Sequence, residues 1–332
     1  MKNKVLCFGE VLIRMQATSD SFFPNKSGNL NIYPGGSEAN VAVSLAQMGS
    51  ASKFFTAVPK DHALASEVLG QIESYGVDTS SCKESGKRIG SYILLSANGL
   101  TKGEVIYDRA FSSFSELTIK GLDFNSIFQG CEWFHWTALT PALNQQMATL
   151  MKELLKEASN RRLKISVDLN YRSKLWQYGK APHEVMPELL TYCDVIMGNI
   201  WAANTFLQTG VQDGLNRDTP QEVLVDEAVR ISNKIFENNP KCEHIAHTFR
   251  FMDNPKHNLL YGTYHTRETH EVSKIRETNE LIDRIGSGDA FMAGLIHAIR
   301  QEYTPKEIIE YATGSGFAKL FVEGDFGNGK QI

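Results

Sequence analysis

Hydrophobic and polar positions along the chain alternate between short apolar runs and longer stretches of helical spacing. Apolar runs predict strands over residues 4–8, 53–58, 133–136, 163–168, 195–197 and 244–248. Helical spacing predicts helices over residues 40–48, 62–75, 145–159, 222–236, 287–300 and 305–321. Strands that alternate with helices predict an α/β fold, in which a mostly parallel central sheet is flanked by helices on both faces. Ligands of such sheets bind beyond the carboxyl ends of the strands.

Two stretches interrupt this alternation. Residues 14–33 are polar, which predicts a loop with short strands. Within residues 88–110, two strand-like runs at 91–95 and 104–107 surround Asn98-Gly99, a dipeptide typical of hairpin turns. We therefore predict that these two stretches form a small separate sheet.

Composition and charge narrow the class of protein. The 332 residues suffice for one large α/β domain or two ordinary ones, and 42% hydrophobic with 22% charged residues is typical of a soluble globular protein. A formal net charge of -4 argues against a general affinity for nucleic acid or anionic membranes. No long apolar run predicts a membrane span, and the apolar run after Lys4 is too short for a signal peptide. Five scattered cysteines indicate reduced thiols, so we expect a cytoplasmic protein.

Segment 283–291 carries the most specific chemical pattern. Gly286-Ser287-Gly288 predicts a flexible turn, and Asp289 opens a long apolar helix. The unpaired N–H groups and the dipole of a helix N-terminus favour an anion there. Beside such a site, Asp289 is placed to accept a proton from a hydroxyl, as phosphoryl transfer to an alcohol requires. In the structural alternative, Asp289 is only an N-cap and the glycines only a tight turn.

Two segments carry a family resemblance. Asp283-x-x-Gly286-Ser287-Gly288-Asp289 resembles the DTxGAGD signature of ribokinase-type (PfkB-type) carbohydrate kinases, and the run from Gly35 to Ala42 resembles their N-terminal glycine signature. The resemblance covers nearly the whole chain. It implies a single ribokinase-like kinase domain over residues 1–332, with lid strands inserted at about 14–33 and 88–110. It also implies ATP as phosphoryl donor, with the Mg²⁺ that ATP usually brings.

The family implies roles for residues of both signatures. Asp289 resembles the catalytic base, and the amides of Gly286, Ser287 and Gly288 resemble the anion hole for the transferring phosphoryl group. The residues that match sugar-holding positions are Gly35, Gly36 and Asn40. The lid covers the sugar and keeps water from the phosphoryl group. Lids of this kind often mediate dimerisation, which leaves a homodimer through the lid open.

Further segments resemble the 2-keto-3-deoxygluconate kinases of this family. They are Gly9 to Arg14, in which Arg14 stands where typical ribokinases carry an acidic sugar-binding residue, Tyr107 to Ala110, Asp168 to Trp176, and Gly324-Asp325-Phe326. Arginine binds carboxylates through paired, charge-assisted hydrogen bonds. We therefore expect Arg109 and Arg172 to bind a sugar acid, with Asp325 also at the acceptor.

Each of these expectations has an alternative. The two arginines could instead pair with nearby acids such as Asp108 or Asp168. The rings of Tyr92 and Tyr107 line the same pocket or serve only lid packing. Fructose, another keto-deoxy sugar acid and a small polyol remain alternative acceptors.

The nucleotide side departs from the family pattern. The usual NxxE motif is Asn199-Ile200-Trp201-Ala202, in which the acid is missing, and the TxGxxG loop has Thr248 followed by Arg250 in place of its first glycine. We expect Asn199, Thr248 and Arg250 to contact the nucleotide together with Gly286 and Gly288, and the sequence does not identify the residues that would bind Mg²⁺. These departures also motivate a catalytically impaired sugar-binding homologue as an alternative.

Overall fold

The computed structural model describes residues 3–17, 29–95 and 104–332. The strands are β1 (Lys4–Phe8), β2 (Leu12–Ala17), β3 (Leu30–Gly35), β4 (Ser52–Phe55), β5 (Ala57–Val58), β6 (Lys83–Glu84), β7 (Gly90–Leu94), β8 (Val105–Asp108), β9 (Cys131–Thr137), β10 (Lys164–Asp168), β11 (Val195–Gly198), β12 (His244–Phe251), β13 (Asn258–His265), β14 (His270–Val272) and β15 (Arg276–Thr278). The helices are α1 (Ser37–Gln47), α2 (Ala63–Ser74), α3 (Phe124–Phe128), α4 (Gln145–Asn160), α5 (Pro182–Leu190), α6 (Ile200–Leu207), α7 (Gln221–Asn238), α8 (Ser287–Arg300) and α9 (Pro305–Ala318). A short 3-10 helix, Lys319–Phe321, follows α9.

A mostly parallel central sheet confirms the predicted fold class. Its strand order is β14-β13-β12-β11-β10-β9-β1-β4, and β15 pairs with β13. Six neighbouring strands of this sheet run parallel, namely β4, β1, β9, β10, β11 and β12. By contrast, β13 is antiparallel to β12, β14 and β15. Among the helices of the described ranges, none has the length and hydrophobicity needed to cross a membrane.

Side chains of the central strands alternate between two apolar cores, because successive residues of a strand point to opposite faces. In β1, Leu6 and Phe8 pack into a core shared with α4, α5, α6 and α7. Val5 and Cys7 point into the other core, shared with α1, α2, α8 and α9. The sheet is therefore covered by helices on both faces, and its carboxyl edge is left for a ligand site.

A second sheet of four strands has the order β3-β2-β7-β8. Its register places Tyr33, Arg14, Tyr92 and Tyr107 in one row across the sheet. The neighbouring row consists of Ile32, Met15, Ile93 and Ile106 and points to the opposite face. We refer to these strands as the small sheet, to the first set of side chains as the inner row and to the second as the outer row.

Several element predictions agree with the structure and others do not. The helix predicted at 287–300 coincides with α8. The single strand predicted over 53–58 is wrong: β4 belongs to the central sheet, whereas β5 turns away after Thr56 to pair with β6. The polar stretch 14–33 supplies most of β2 and of β3, but its residues 18–28 lie outside the described residues. The predicted Asn98-Gly99 turn also lies outside them.

Candidate active site

A cavity of about 330 Å³ lies at the carboxyl edge of the central sheet, beneath the inner row of the small sheet. Strand ends contribute much of its wall, as the α/β fold predicts. The predicted site residues on the wall are Gly36, Asn40, Tyr92, Tyr107, Arg109, Arg172, Asn199, Thr248, Arg250, Gly286, Ser287, Gly288, Asp289 and Asp325. The structure thus brings together residues that are far apart along the chain.

Asp289 is held from outside its own helix. It occupies the first turn of α8, whose N-cap is Gly286, so Asp289 is not the N-cap that the structural alternative required. Its carboxylate accepts hydrogen bonds from Ser37 Oγ at 2.5 Å and Asn40 Nδ2 at 2.7 Å, both on α1. Burial raises the pKa of Asp289, while the bonds from Ser37 and Asn40 oppose that rise. A raised pKa makes this carboxylate a better proton acceptor than an exposed aspartate.

The turn before α8 requires glycine at Gly286. Its φ is +81°, and a Cβ there would overlap the carbonyl oxygen of Asp325. The amide of Ser287 donates to the carbonyl of Arg284 at 3.2 Å, and its hydroxyl donates to the carbonyl of Gly316. The Ser287 amide therefore closes the turn instead of being left for an anion. At Gly288 a Cβ would meet no neighbouring atom, so the approach to the helix N-terminus is open there.

The glycine pair before α1 allows two close approaches. Gly36 has a φ of +126°, and a Cβ there would overlap the backbone carbonyl of Glu10. At Gly35, which lies outside the cavity wall, a Cβ would overlap the Asp325 carboxylate. The pair therefore lets the start of α1 lie against both the β1–β2 connection at Glu10 and the segment around Asp325.

The small sheet adds aromatic and charged groups to the roof of the cavity. Tyr92 donates its hydroxyl hydrogen to Asp325 Oδ2 at 2.9 Å, and the Tyr92 and Tyr107 ring centroids are 6.4 Å apart. Arg109 Nε donates to Glu10 Oε2 at 2.6 Å. Asp108, the predicted alternative partner of Arg109, instead pairs with Arg88. The acid that Arg109 contacts is thus one that the sequence did not indicate.

Arg172 has a different environment from Arg109. It is exposed on the cavity wall and donates from Nη1 to the carbonyl of Tyr171 at 2.8 Å. Among the ion pairs of the described residues, none involves Arg172. Its charge lowers the pKa of nearby Asp168, although burial dominates and raises that pKa to about 7.

On the nucleotide side, the altered motifs lie on regular elements. Asn199 is the N-cap of α6, its Oδ1 accepts the Ala202 amide at 2.8 Å, and the residue lines the cavity. The predicted loop at Thr248 and Arg250 is part of β12, which continues to Phe251 and pairs with β13. The surrounding protein reduces the hydration of Arg250, and this loss, together with the like charge of Arg172, lowers its pKa to about 10. The residue is nevertheless exposed to the cavity.

Sequence reasoning missed several polar residues that shape the site. Ser37 and Glu38 lie inside the glycine signature, and that position was the one sign that they could belong to the site. Only the fold brings Ser37 to Asp289 and Glu38 to Thr137. Glu10 lies two residues after the end of β1, where ligand-binding residues of parallel sheets are common, yet no spacing linked it to Arg109. The described residues contain no group of three or more His, Cys, Asp or Glu side chains that could hold a metal ion.

Three comparisons identify the kind of protein that has this cavity. A family model described as pfkB family carbohydrate kinase matches residues 2–223. The 2-dehydro-3-deoxygalactonokinase of Haloferax volcanii is 24% identical over 331 residues, which is 98% of this chain and 93% of that protein.

Two solved structures share the fold over nearly the whole chain. The 2-dehydro-3-deoxygluconokinase of Thermotoga maritima has a TM-score of 0.86 at 28% identity and covers 98% of this chain and 95% of its own. A fructokinase of Xylella fastidiosa with bound ATP has a TM-score of 0.74 at 18% identity and covers 98% and 94%. With the signature turn, the held carboxylate and a family model matching more than half of its residues, the chain belongs to the pfkB family of carbohydrate kinases.

Proposed function

We propose that this kinase transfers the γ-phosphoryl group of ATP to a hydroxyl of a 2-keto-3-deoxy sugar acid, with 2-keto-3-deoxygluconate as the leading candidate. The observation that carries the proposal is Arg172, an exposed guanidinium on the cavity wall that forms no ion pair within the described part of the chain. A carboxylate ligand would supply the missing counter-charge. The Haloferax and Thermotoga relatives, named as kinases of 2-dehydro (that is, 2-keto) 3-deoxy sugar acids, support the same substrate class.

Asp289 is the proposed base. It accepts the proton of the acceptor hydroxyl, whose oxygen attacks the γ-phosphorus while the bond to the β–γ bridging oxygen breaks and ADP leaves. The open helix start at Gly288 favours the negative charge of the phosphoryl group in transfer. Arg250, which faces the same cavity, is proposed to neutralise phosphate oxygens.

Mg²⁺ is proposed to enter with ATP. Magnesium sites of this kind use substrate phosphates and water with only one or two protein carboxylates, so a protein cage is not needed. The acid missing at Ala202 removes one carboxylate, and Asp168 and Asp289 are the carboxylates of the adjoining wall. The ion would offset negative charge on the transferring phosphoryl group.

The residues around Asp289 support the remaining assignments. Asn40 is proposed to orient the base and the sugar, with Gly36 giving the sugar close access to the backbone. Asp325 is proposed to accept a sugar hydroxyl beneath Tyr92. The small sheet is proposed to act as the lid of a single kinase domain.

An ADP-release assay across sugars and sugar acids tests the proposal. Arg172→Ala should lower kcat/KM for the sugar acid about 10- to 100-fold, since one or two charge-assisted hydrogen bonds of about 1.5–3 kcal/mol are lost. The same change should leave turnover of any neutral sugar within about threefold of the wild type, because a neutral sugar has no carboxylate for Arg172 to bind.

Two controls give this assay its meaning. Arg161→Ala removes an exposed arginine at the end of α4 that pairs with Glu157 and lies outside the cavity wall, so it should leave both activities unchanged. Asp289→Asn removes the base and should abolish turnover with every acceptor. Turnover with neutral sugars alone would contradict the sugar-acid proposal, and no turnover of any acceptor by the wild type would favour an impaired homologue.

A neutral ketose such as fructose is the second candidate acceptor. The observation that favours it is the ion pair between Arg109 and Glu10, because a guanidinium already neutralised by an acid binds a carboxylate less strongly. The same panel distinguishes the two candidates, since only a sugar acid should respond strongly to the Arg172 substitution.

A homodimer through the lid is proposed as well. In the outer row, the side chains of Ile32 and Ile106 are 60% and 41% exposed, and Met15 and Ile93 lie half-buried between them. A contiguous apolar row on a sheet face is typical of a protein–protein contact. A second copy of this chain would cover the row while the inner row faced the sugar.

A further inference from the structure

Arg14 is a fully buried arginine of the small sheet that lies outside the cavity wall. Its Nη1 and Nη2 donate to Asp283 Oδ1 and Oδ2 at 3.2 and 2.6 Å, and its Nε lies 3.0 Å from Asp325 Oδ1. The guanidinium also stacks over the Tyr33 ring at 4.2 Å. A single side chain of β2 thus contacts two carboxylates from the last part of the chain.

The two carboxylates hold different halves of the site. Asp283 Oδ1 accepts the amide of Ile285 at 3.0 Å, and Oδ2 accepts the amide of Gly324 at 3.2 Å, so Asp283 shapes the turn that leads into Gly286. Asp325 lines the cavity and accepts the Tyr92 hydroxyl. Arg14 is therefore linked to the phosphoryl side through one partner and to the sugar side through the other.

Charge explains why this arrangement needs a cation at Arg14. Asp283 and Asp325 are both buried, and two buried carboxylates in contact with one group repel each other unless a cation lies between them. Burial raises the pKa of Asp325 to about 7, and the charge of Arg14 is the strongest influence that opposes this rise. Burial alone lowers the pKa of Arg14, but Asp325 and Asp283 outweigh it and keep the guanidinium charged.

The other charged and titratable groups that face this pair belong to several elements. They are Tyr33 on β3, Tyr92 on β7, Lys319 after α9, and Asp289 on α8. Lys319 is buried and donates to the carbonyl of Val322 at 2.8 Å, and it forms no ion pair within 4.0 Å with a carboxylate of the described residues. Arg14 is thus the cation in direct contact with both carboxylates.

We propose that Arg14 is a positioning residue that sets the sugar-binding carboxylate of Asp325 and the phosphoryl-binding turn at Asp283–Gly286 in one fixed relation. The inference rests on the proposed role of Asp325 at the sugar. Arg14 does not touch the substrate; it acts through its two partners. The sugar and phosphoryl halves of the reaction therefore depend on the same buried guanidinium.

Three variants separate the two arms of this contact. Arg14→Met keeps the side-chain length without the charge. It should raise the sugar KM and lower kcat, each about tenfold or more, because it removes two buried charge-assisted hydrogen bonds to Asp283 and the buried ion pair with Asp325. Asp283→Asn weakens only the turn, and should lower kcat while the sugar KM stays within about twofold of the wild type. Arg14→Lys keeps the positive charge but has a single nitrogen, which can contact only one of the two carboxylates. Compared with Arg14→Met, it should therefore restore either kcat or the sugar KM, but not both.

The pH profile distinguishes positioning from a loss of stability. Without the charge of Arg14, the pKa of Asp325 should rise, so the acid limb of kcat/KM for the sugar should move to higher pH in Arg14→Met and stay in place in Arg14→Lys. A purely structural role would lower the fraction of folded enzyme and leave KM and the acid limb of the remaining enzyme unchanged. Thermal unfolding of each variant measures that fraction.

The outcomes separate failure of this inference from failure of the proposed function. If the wild type phosphorylates no sugar or sugar acid, the proposed function fails. If the wild type is active and Arg14→Met keeps its KM, kcat and acid limb, the positioning role of Arg14 is wrong. If Arg14→Met does not fold, the other two variants decide. The proposal is contradicted if Arg14→Lys has both the kcat and the sugar KM of the wild type, or if Asp283→Asn keeps the wild-type kcat.

Discussion

At the scale of single residues, the site is notable for carboxyl groups held out of water close to the proposed base. Glu38 and Asp168 are both buried near Asp289. Burial raises the pKa of Glu38 and that of Asp168 to about 7. Glu38 is nevertheless bonded, since its Oε1 accepts the Thr137 hydroxyl at 2.6 Å. Burial thus favours the protonated form of Glu38 and Asp168, whereas the hydrogen bonds from Ser37 and Asn40 favour the ionised form of Asp289, which suits a base.

Glu38 should make stability depend on pH. Its pKa in the folded protein, about 7, lies above the ordinary value of 4.5, so the folded state holds the proton more tightly than the unfolded state. The contribution is fully present below about pH 4.5 and is lost as pH rises through about 7, with a total on the order of 3 kcal/mol. Glu38→Gln, which imitates the protonated acid, should therefore be more stable than the wild type at pH 8 and equal to it at pH 4.5.

Urea unfolding at several pH values measures this effect. The exposed Glu222 on α7 provides the control, since Glu222→Gln should leave the pH dependence of the unfolding free energy unchanged. Equal slopes of stability against pH for Glu38→Gln and the wild type would show that Glu38 is ionised in the folded protein.

The sequence predicted which residues line the cavity better than it predicted their hydrogen-bond partners. Gly36, Asn40 and Asp289 follow from signatures with fixed spacing, and all three line the cavity. The pairing of Arg109 with Glu10 could not be predicted, because 99 residues separate the two and only the tertiary fold brings the end of β8 to the segment after β1. Partners across such distances depend on tertiary geometry, which local patterns do not contain.

At the scale of elements, the turn before α8 combines two glycines with different steric requirements. Gly286 has a positive φ and lies against the Asp325 carbonyl, whereas Gly288 has open space where a Cβ would stand. The first glycine is thus needed for the fold of the turn, whereas the space beside the second leaves the helix N-terminus accessible.

Alanine substitutions should separate these two requirements. Gly286→Ala should destabilise the protein by on the order of 2 kcal/mol or more, because alanine is strained at positive φ and its methyl group meets backbone. Gly288→Ala should leave the melting temperature close to that of the wild type, yet raise the KM for ATP and lower kcat, since the methyl group narrows the space for phosphate. Differential scanning calorimetry together with initial-rate kinetics provides both readouts, and unchanged ATP kinetics in Gly288→Ala would argue against an anion site there.

Element prediction succeeded where the pattern was strong and local. The sequence of α8 has long apolar spacing behind a glycine turn, and its predicted and observed limits coincide. The strand β13 was missed although all eight of its residues are buried, because its run, Asn258–His265, mixes histidine, threonine and glycine with apolar residues. Its place in the sheet is set by antiparallel pairing with β12, which no local signal specifies.

At the scale of the whole molecule, the small sheet presents a tyrosine-rich face to the cavity and an apolar row to the outside. The two rows alternate along the same strands, so both faces are fixed by one register. A second copy that covered the outer row would hold the sheet steady above the sugar.

Charges on the outer row should therefore affect assembly and activity together. The double substitution Ile32→Glu with Ile106→Glu should convert a dimer into a monomer in sedimentation experiments, because like charges would face each other across the contact. Lys330→Glu, near the C-terminus, is the control for added charge. A wild type that sediments as a monomer at all concentrations, or a doubly substituted protein that stays dimeric, would contradict a dimer through the lid.

The contact between Arg14 and Asp283 also has a consequence for how the protein is made. The two residues are 269 positions apart, and Asp325 follows later still. On the ribosome, β2 is synthesised long before either carboxylate, so its arginine lacks both acidic partners until Asp283 and Asp325 have been translated. The order of synthesis therefore delays this ion-pair cluster until the segment around residues 283–325 has been made, and a translation product interrupted before that segment has a cation at Arg14 without its two carboxylates.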